Sequence, residues 1–112
     1  MNPRVFAPQV PSRYDSATRL WIPTMNMAPA RKYGELVVLL PANANRLHTS
    51  PLIAALREGM STFRAEDALI AVGDPTLIAA ATLIAARKTG GAVRMLKWDR
   101  MMGDYILVEV SA

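Results

Sequence analysis

The residues of this chain that could hold or transform a ligand are few and lie close together in sequence. They are a single histidine, His48, two short polar residues standing before prolines (Ser50-Pro51 and Asp74-Pro75), and the amides and hydroxyls nearby: Asn43, Asn45, Thr49 and Thr76. A short polar residue before proline marks a helix start, because its oxygen caps an orphan N–H and proline supplies a helical φ without wasting a donor. Two helix starts mean two sets of free N–H groups at positive dipole ends, which suit a phosphate or a carboxylate. With Gly73, which permits a sharp turn after the second strand, the candidate anion or nucleotide site is Asn43, Asn45, His48, Thr49, Ser50, Gly73 and Thr76. The competing reading is that Ser50 and Asp74 are caps and nothing more. The two ends are unequal, since the Asp74 carboxylate already fills its own positive end.

Other chemistry is harder to assemble. There is no cysteine, which removes thiolate nucleophiles and thiolate metal sites, and one histidine cannot make a two-histidine centre. Asp67, Asp74, Asp99 and Asp104 do not fall into a metal-ligand spacing. Gly73-Asp74-Pro75 has neither the dinucleotide glycine spacing nor a Walker lysine. No nucleophile–base pair results, so an enzyme is the least supported class, and neither a cofactor nor a metal is expected.

The elements that must position these residues follow from the apolar pattern. Leu36 to Leu40 is a continuous apolar run, as expected of a strand buried on both faces, and a loop over residues 41–49 leads to Ser50. The first helix puts Leu52, Ile53, Leu56, Met60 and Phe63 on one stripe. Ala68 to Val72 is the second strand, and the second helix runs from about Pro75 to Lys88, ended by Gly90-Gly91. It is apolar almost all round, so it needs a second cover from the N-terminal segment or from another subunit. Ala92 to Trp98 reads as a third strand, Asp99 to Asp104 as a hairpin loop, and Tyr105 to Val110 as an antiparallel fourth. The expected fold is a small β-α-β-α-β-β sandwich of the α/β class with a mainly parallel four-stranded sheet. Strand orders 2-1-3-4 and 1-2-3-4 both satisfy the pattern.

Residues 1–34 read as a proline-rich basic arm ahead of an α/β domain over 35–112. They hold five of the eight prolines, and Arg4, Arg13, Arg19, Arg31 and Lys32 against Asp15 alone. Beyond Gly34 eight bases balance eight acids, so the net charge of +4 belongs to the arm. That placement disfavours nucleic acid as a partner, because a nucleic-acid-binding domain carries its charge on the folded surface. Trp21 in the arm, and Trp98 with Met101 and Met102 at the hairpin tip, are candidate interface residues. The alternative for Trp98 is that it turns inward. No apolar run approaches the roughly 18 residues that span a bilayer, and no signal-peptide pattern opens the chain. A cytoplasmic protein that avoids membranes is expected.

Three segments, Tyr33-Gly34-Glu35-Leu36-Val37-Val38-Leu39-Leu40-Pro41, Val72-Gly73-Asp74-Pro75 and Leu96-Lys97-Trp98-Asp99-Arg100, are similar to a group of short uncharacterised α/β proteins encoded by tailed bacteriophages. The similarity covers about residues 33–110. It implies a viral origin and expression in a bacterial host, and it carries no catalytic residue across. The leading expectation is a non-enzymatic accessory protein that binds a phage or host protein and forms a homo-oligomer. The alternative is a binder of a nucleotide or other small anion at the two helix starts.

Overall fold

The computed structural model describes residues 2–45 and 47–112. Met1, counted to the arm, and Arg46, in the loop before the first helix, lie outside the described residues. In chain order the elements are β1 (Arg4–Gln9), β2 (Ser12–Asp15), β3 (Leu20–Pro23), a 3-10 helix (Ala28–Tyr33), β4 (Glu35–Leu40), α1 (Thr49–Gly59), β5 (Ala68–Ile70), α2 (Pro75–Thr89), β6 (Ala92–Asp99) and β7 (Asp104–Ser111). The main sheet has five strands in the order β4-β1-β5-β6-β7; β2 and β3 form a separate ribbon. Strands β4, β1, β5 and β6 are parallel, and β7 returns antiparallel to β6.

The largest departure from the sequence expectation is β1. The segment read as an arm supplies an inner strand, inserted between β4 and β5, so the sheet has five strands instead of four. Its Val5, Phe6 and Ala7 are buried, as core strand residues are. Proline is disfavoured inside sheets because it lacks a ladder donor. Here Pro8 is the position the β1–β4 register skips, and the β1–β5 ladder has already ended at Phe6. The proline therefore costs little pairing. A second correction follows. Leu36 to Leu40, expected to be covered on both faces, lies in an edge strand whose Val38 is 46% exposed, because β1 takes the inner place.

Both helices cover one face of the sheet. There Val37, Phe6, Leu69, Met95 and Val108 form a row across all five strands, packed with Leu56, Met60, Leu77 and Ala81. The opposite face buries Val5, Ala7, Ile70, Leu96 and Tyr105 under Ala30 of the 3-10 helix and Met27 just before it. The strand order with β1 inside satisfies 1-2-3-4 for the strands read from sequence and excludes 2-1-3-4.

Helix starts divide as their side chains dictate. Asp74 caps α2, its carboxylate accepting from the N–H groups of Thr76 and Leu77 at 3.1 and 3.3 Å, and Gly90 closes the other end at φ +76°. Ser50 is not a cap. It sits in the first turn of α1, where His48 holds the cap position without a side-chain hydrogen bond. At the amino edge Asp67, fully buried, accepts from the backbone N–H groups of Arg4 and Arg64, each at 2.8 Å, and from the Arg4 guanidinium at 3.2 Å. This carboxylate ties the start of β1 to the turn before β5. Gly34 allows the same region to close up: at φ +152° it lies so near β1 that a Cβ would stand 2.5 Å from the Pro3 carbonyl oxygen.

Candidate functional site

Because β4, β1, β5 and β6 run parallel, Leu40, Gln9, Ile70 and Asp99 all end on one edge of the sheet. The chain passes from β1 outward to β4, then returns across β1 to β5 and on to β6, so the strand order reverses between β1 and β5. A reversal of this kind leaves a crevice at the carboxyl ends of the strands. Such a crevice is present, with a volume of about 160 Å³, lined by Gln9, Val10, Pro11, Ser12, Ala42 and Gly73. Gln9 is 4% exposed and donates from Nε2 to the Pro41 carbonyl at 2.7 Å, which anchors the loop after β4. Gly73, at φ +103°, passes close to the Gln9 backbone; a Cβ there would lie 3.3 Å from its oxygen.

Of the seven predicted ligand residues, Gly73 alone lines this crevice. Asn43, Asn45, His48 and Ser50 are exposed along the loop and first turn of α1, with Thr49 half-buried among them. Asn45 turns its side chain back onto the Leu47 N–H at 3.0 Å. Thr76 belongs to α2, where its N–H is already committed to Asp74. The residues share the carboxyl edge without converging on one cavity. Among the described residues no group of three or more His, Cys, Asp or Glu side chains could hold a metal ion.

The same edge carries two hairpins of matching design. In the β2–β3 ribbon Tyr14 pairs with Trp21 and Asp15 with Leu20; in the β6–β7 hairpin Trp98 pairs with Tyr105 and Asp99 with Asp104. Each has an aromatic pair across the strands, edge to face, at 5.5 and 5.1 Å between ring centroids. Each is closed by a four-residue loop whose last residue is left-handed, Arg19 at φ 59° and Gly103 at φ 61°. The difference is cover. Tyr105 is sealed into the main sheet at 2% exposure, whereas Tyr14, Leu20 and Trp21 are 51, 62 and 43% exposed. At the second tip Trp98 is partly open, Met102 is exposed and Met101 is almost fully so.

Electrostatics fix the second hairpin to the body. Lys32, at the end of the 3-10 helix, forms an ion pair with Asp104, and the Tyr33 hydroxyl donates to the Tyr105 carbonyl at 3.1 Å. The hydrogen bond from Lys32 lowers the Asp104 carboxyl below its ordinary value, and the same bond raises Lys32. Burial pushes the Tyr105 phenol up. Two of the arm's basic residues are thus used internally, Arg4 on Asp67 and Lys32 on Asp104.

Sequence reasoning missed Gln9 and Tyr14. A usable signal existed: Tyr14-Asp15, four residues, Leu20-Trp21 repeats the layout of Trp98-Asp99, four residues, Asp104-Tyr105.

A small mixed α/β protein with a mainly parallel five-stranded sheet is the class these features define. The chain belongs to the Phage Pam3 gp32-like protein family, whose sequence profile matches residues 3–112. The match takes in β1 and the β2–β3 ribbon, which the resemblance to tailed-phage proteins left out. No curated protein and no solved structure matches the chain. Among the described residues no helix is long and apolar enough to cross a membrane.

Proposed function

We propose that this phage protein is a non-enzymatic accessory factor that acts by protein binding and self-association at the carboxyl edge of its sheet. The observation that carries this reading is the β2–β3 ribbon. It pairs with no other strand, yet it holds Tyr14 against Trp21 with Leu20 beside them, all exposed. Aromatic side chains with few rotatable bonds, set on a short ribbon, lose little entropy when covered, and burial returns roughly 25 cal/mol per Å² of apolar surface. Met101 and Met102, at the other tip, add an adaptable apolar surface. Trp21, Trp98, Met101 and Met102 are the contact residues, and the bacterial host cytoplasm is the proposed location.

Trp21 can report on this directly. In a Trp98→Phe background, acrylamide quenching of Trp21 should fall as the protein is concentrated. Quenching that is the same at low and high concentration contradicts the proposal.

A second reading keeps a nucleotide or other anion at the start of α1, the helix end that lacks a side-chain cap. It predicts a thermal shift with nucleotides that Ser50→Ala or His48→Ala reduces. No shift across a nucleotide panel ends it.

A further inference from the structure

We infer that the groove between α1 and α2, on the outer face of the helical layer, is a docking site for an acidic amphipathic helix of another protein. This surface is separate from the carboxyl edge and does not depend on the function proposed above. The segment read as an arm lies in the sheet and its ribbon, and Leu83 on the outside of α2 remains 70% exposed.

The groove has a volume of about 400 Å³ and is lined by Ile53 and Arg57 of α1 and by Ala80, Leu83, Ile84 and Arg87 of α2. These fall at helical spacings of three and four, so they form a continuous stripe on each helix, the arrangement that receives a third helix by its apolar side chains. Its floor is aliphatic. One end is strongly basic: a neighbouring depression is lined by Arg57, Ile84, Arg87 and Lys88. None of these three cations makes an ion pair among the described residues. Glu58 adjoins Arg57 in sequence but is not part of either lining.

Basic residues in the last turn of a helix are favourable for the helix dipole alone. That accounts for their position along α1 and α2 and leaves the apolar floor beside them unexplained. Charge also decides between occupants. A second copy of this face would add three more cations and, from its lining, no carboxylate to pair with them. A helix with leucine-type residues on one face and carboxylates flanking them satisfies both the floor and the rim.

The test uses a fluorescein-labelled helical peptide with Leu at positions i, i+3, i+4 and i+7 and Glu on both flanks, and its twin with Lys for Glu. Anisotropy titrations of the full chain should show that the Glu peptide binds at least roughly tenfold more tightly than the Lys peptide, with a loss of affinity in salt. Arg57→Glu with Arg87→Glu should reverse that preference. Leu83→Asp, at an exposed site that the fold does not need, should weaken both. Failure of the Glu peptide to bind, equal binding of the two peptides, or indifference to the charge reversal would overturn the inference. So would binding of duplex DNA or phosphatidylglycerol vesicles in place of the peptide.

Discussion

Asp15 and Asp99 occupy the same post at the foot of two different hairpins. Each accepts on Oδ1 the N–H two residues ahead, that of Ala17 at 3.1 Å and of Met101 at 2.9 Å. Each also accepts on its backbone oxygen the N–H four residues ahead, that of Arg19 at 2.7 Å and of Gly103 at 2.9 Å. Beside each aspartate stands an aromatic residue paired across the ribbon. The carboxylates therefore fix two tips of one geometry, and the tips present different chemistry: Leu20 and Trp21 on one, Met101 and Met102 on the other.

The left-handed residue that ends each loop gives a pair of opposite predictions. Gly103 sits at φ 61° without strain, while Arg19 adopts φ 59° against its Cβ. Gly103→Ala should destabilise the fold by about 1 kcal/mol in urea unfolding. Arg19→Gly should be neutral or stabilise by up to roughly 1 kcal/mol, because relief of strain outweighs the added freedom of the unfolded chain. A large loss on Arg19→Gly would mean that the arginine side chain holds the loop.

Asp67 is the fold's buried staple, with two backbone donors and one guanidinium on its carboxylate. Asp67→Ala should cost about 3 kcal/mol, since it leaves two part-buried backbone N–H groups without their acceptor and removes the carboxylate that faces Arg4. Equilibrium unfolding measures this. The loss should appear with the carboxyl-edge tips still formed in whatever protein remains folded.

Alkaline pH should act on the fold through Tyr105. Burial raises Tyr105 in the folded protein above its unfolded value. Its contribution to stability is fully present below the unfolded pKa and is lost as pH rises through the folded one. Absorbance titration should therefore show a delayed tyrosinate step accompanied by loss of structure. In Tyr105→Phe that step should be missing. A single early step in the wild type would contradict the buried position.

How much of this could be read from residues alone depends on what each segment competes against. The α2 start was legible because Asp74-Pro75 has one strong local reading, and Gly90 fixes its end. The α1 start was misread at Ser50, since the helix begins at Thr49 and tertiary contacts of Leu52 and Leu56 set its position more than a cap does. The main failure was β1. Pro3, Pro8 and Pro11 make that segment look extended and unpaired, and only long-range register shows that Pro8 falls where the ladder can spare a donor. The β2–β3 ribbon was missed because Arg19 stands where glycine would have announced the turn. Without β1 inside the sheet, the reversal of strand order and the crevice at Gln9 and Gly73 were beyond reach.

The central claim is that the carboxyl-edge tips associate with protein surface, beginning with a second copy of this chain. Its most direct measurement is molar mass by light scattering over a concentration series, on the wild type and on Leu20→Ser with Trp21→Ser. Both side chains are exposed, so the variant should keep its circular dichroism spectrum and its unfolding midpoint. The account predicts a mass above the 12.2 kDa monomer for the wild type, and the monomer mass for the variant. A wild type that stays monomeric at the highest concentration, or a variant that associates as the wild type does, would contradict it.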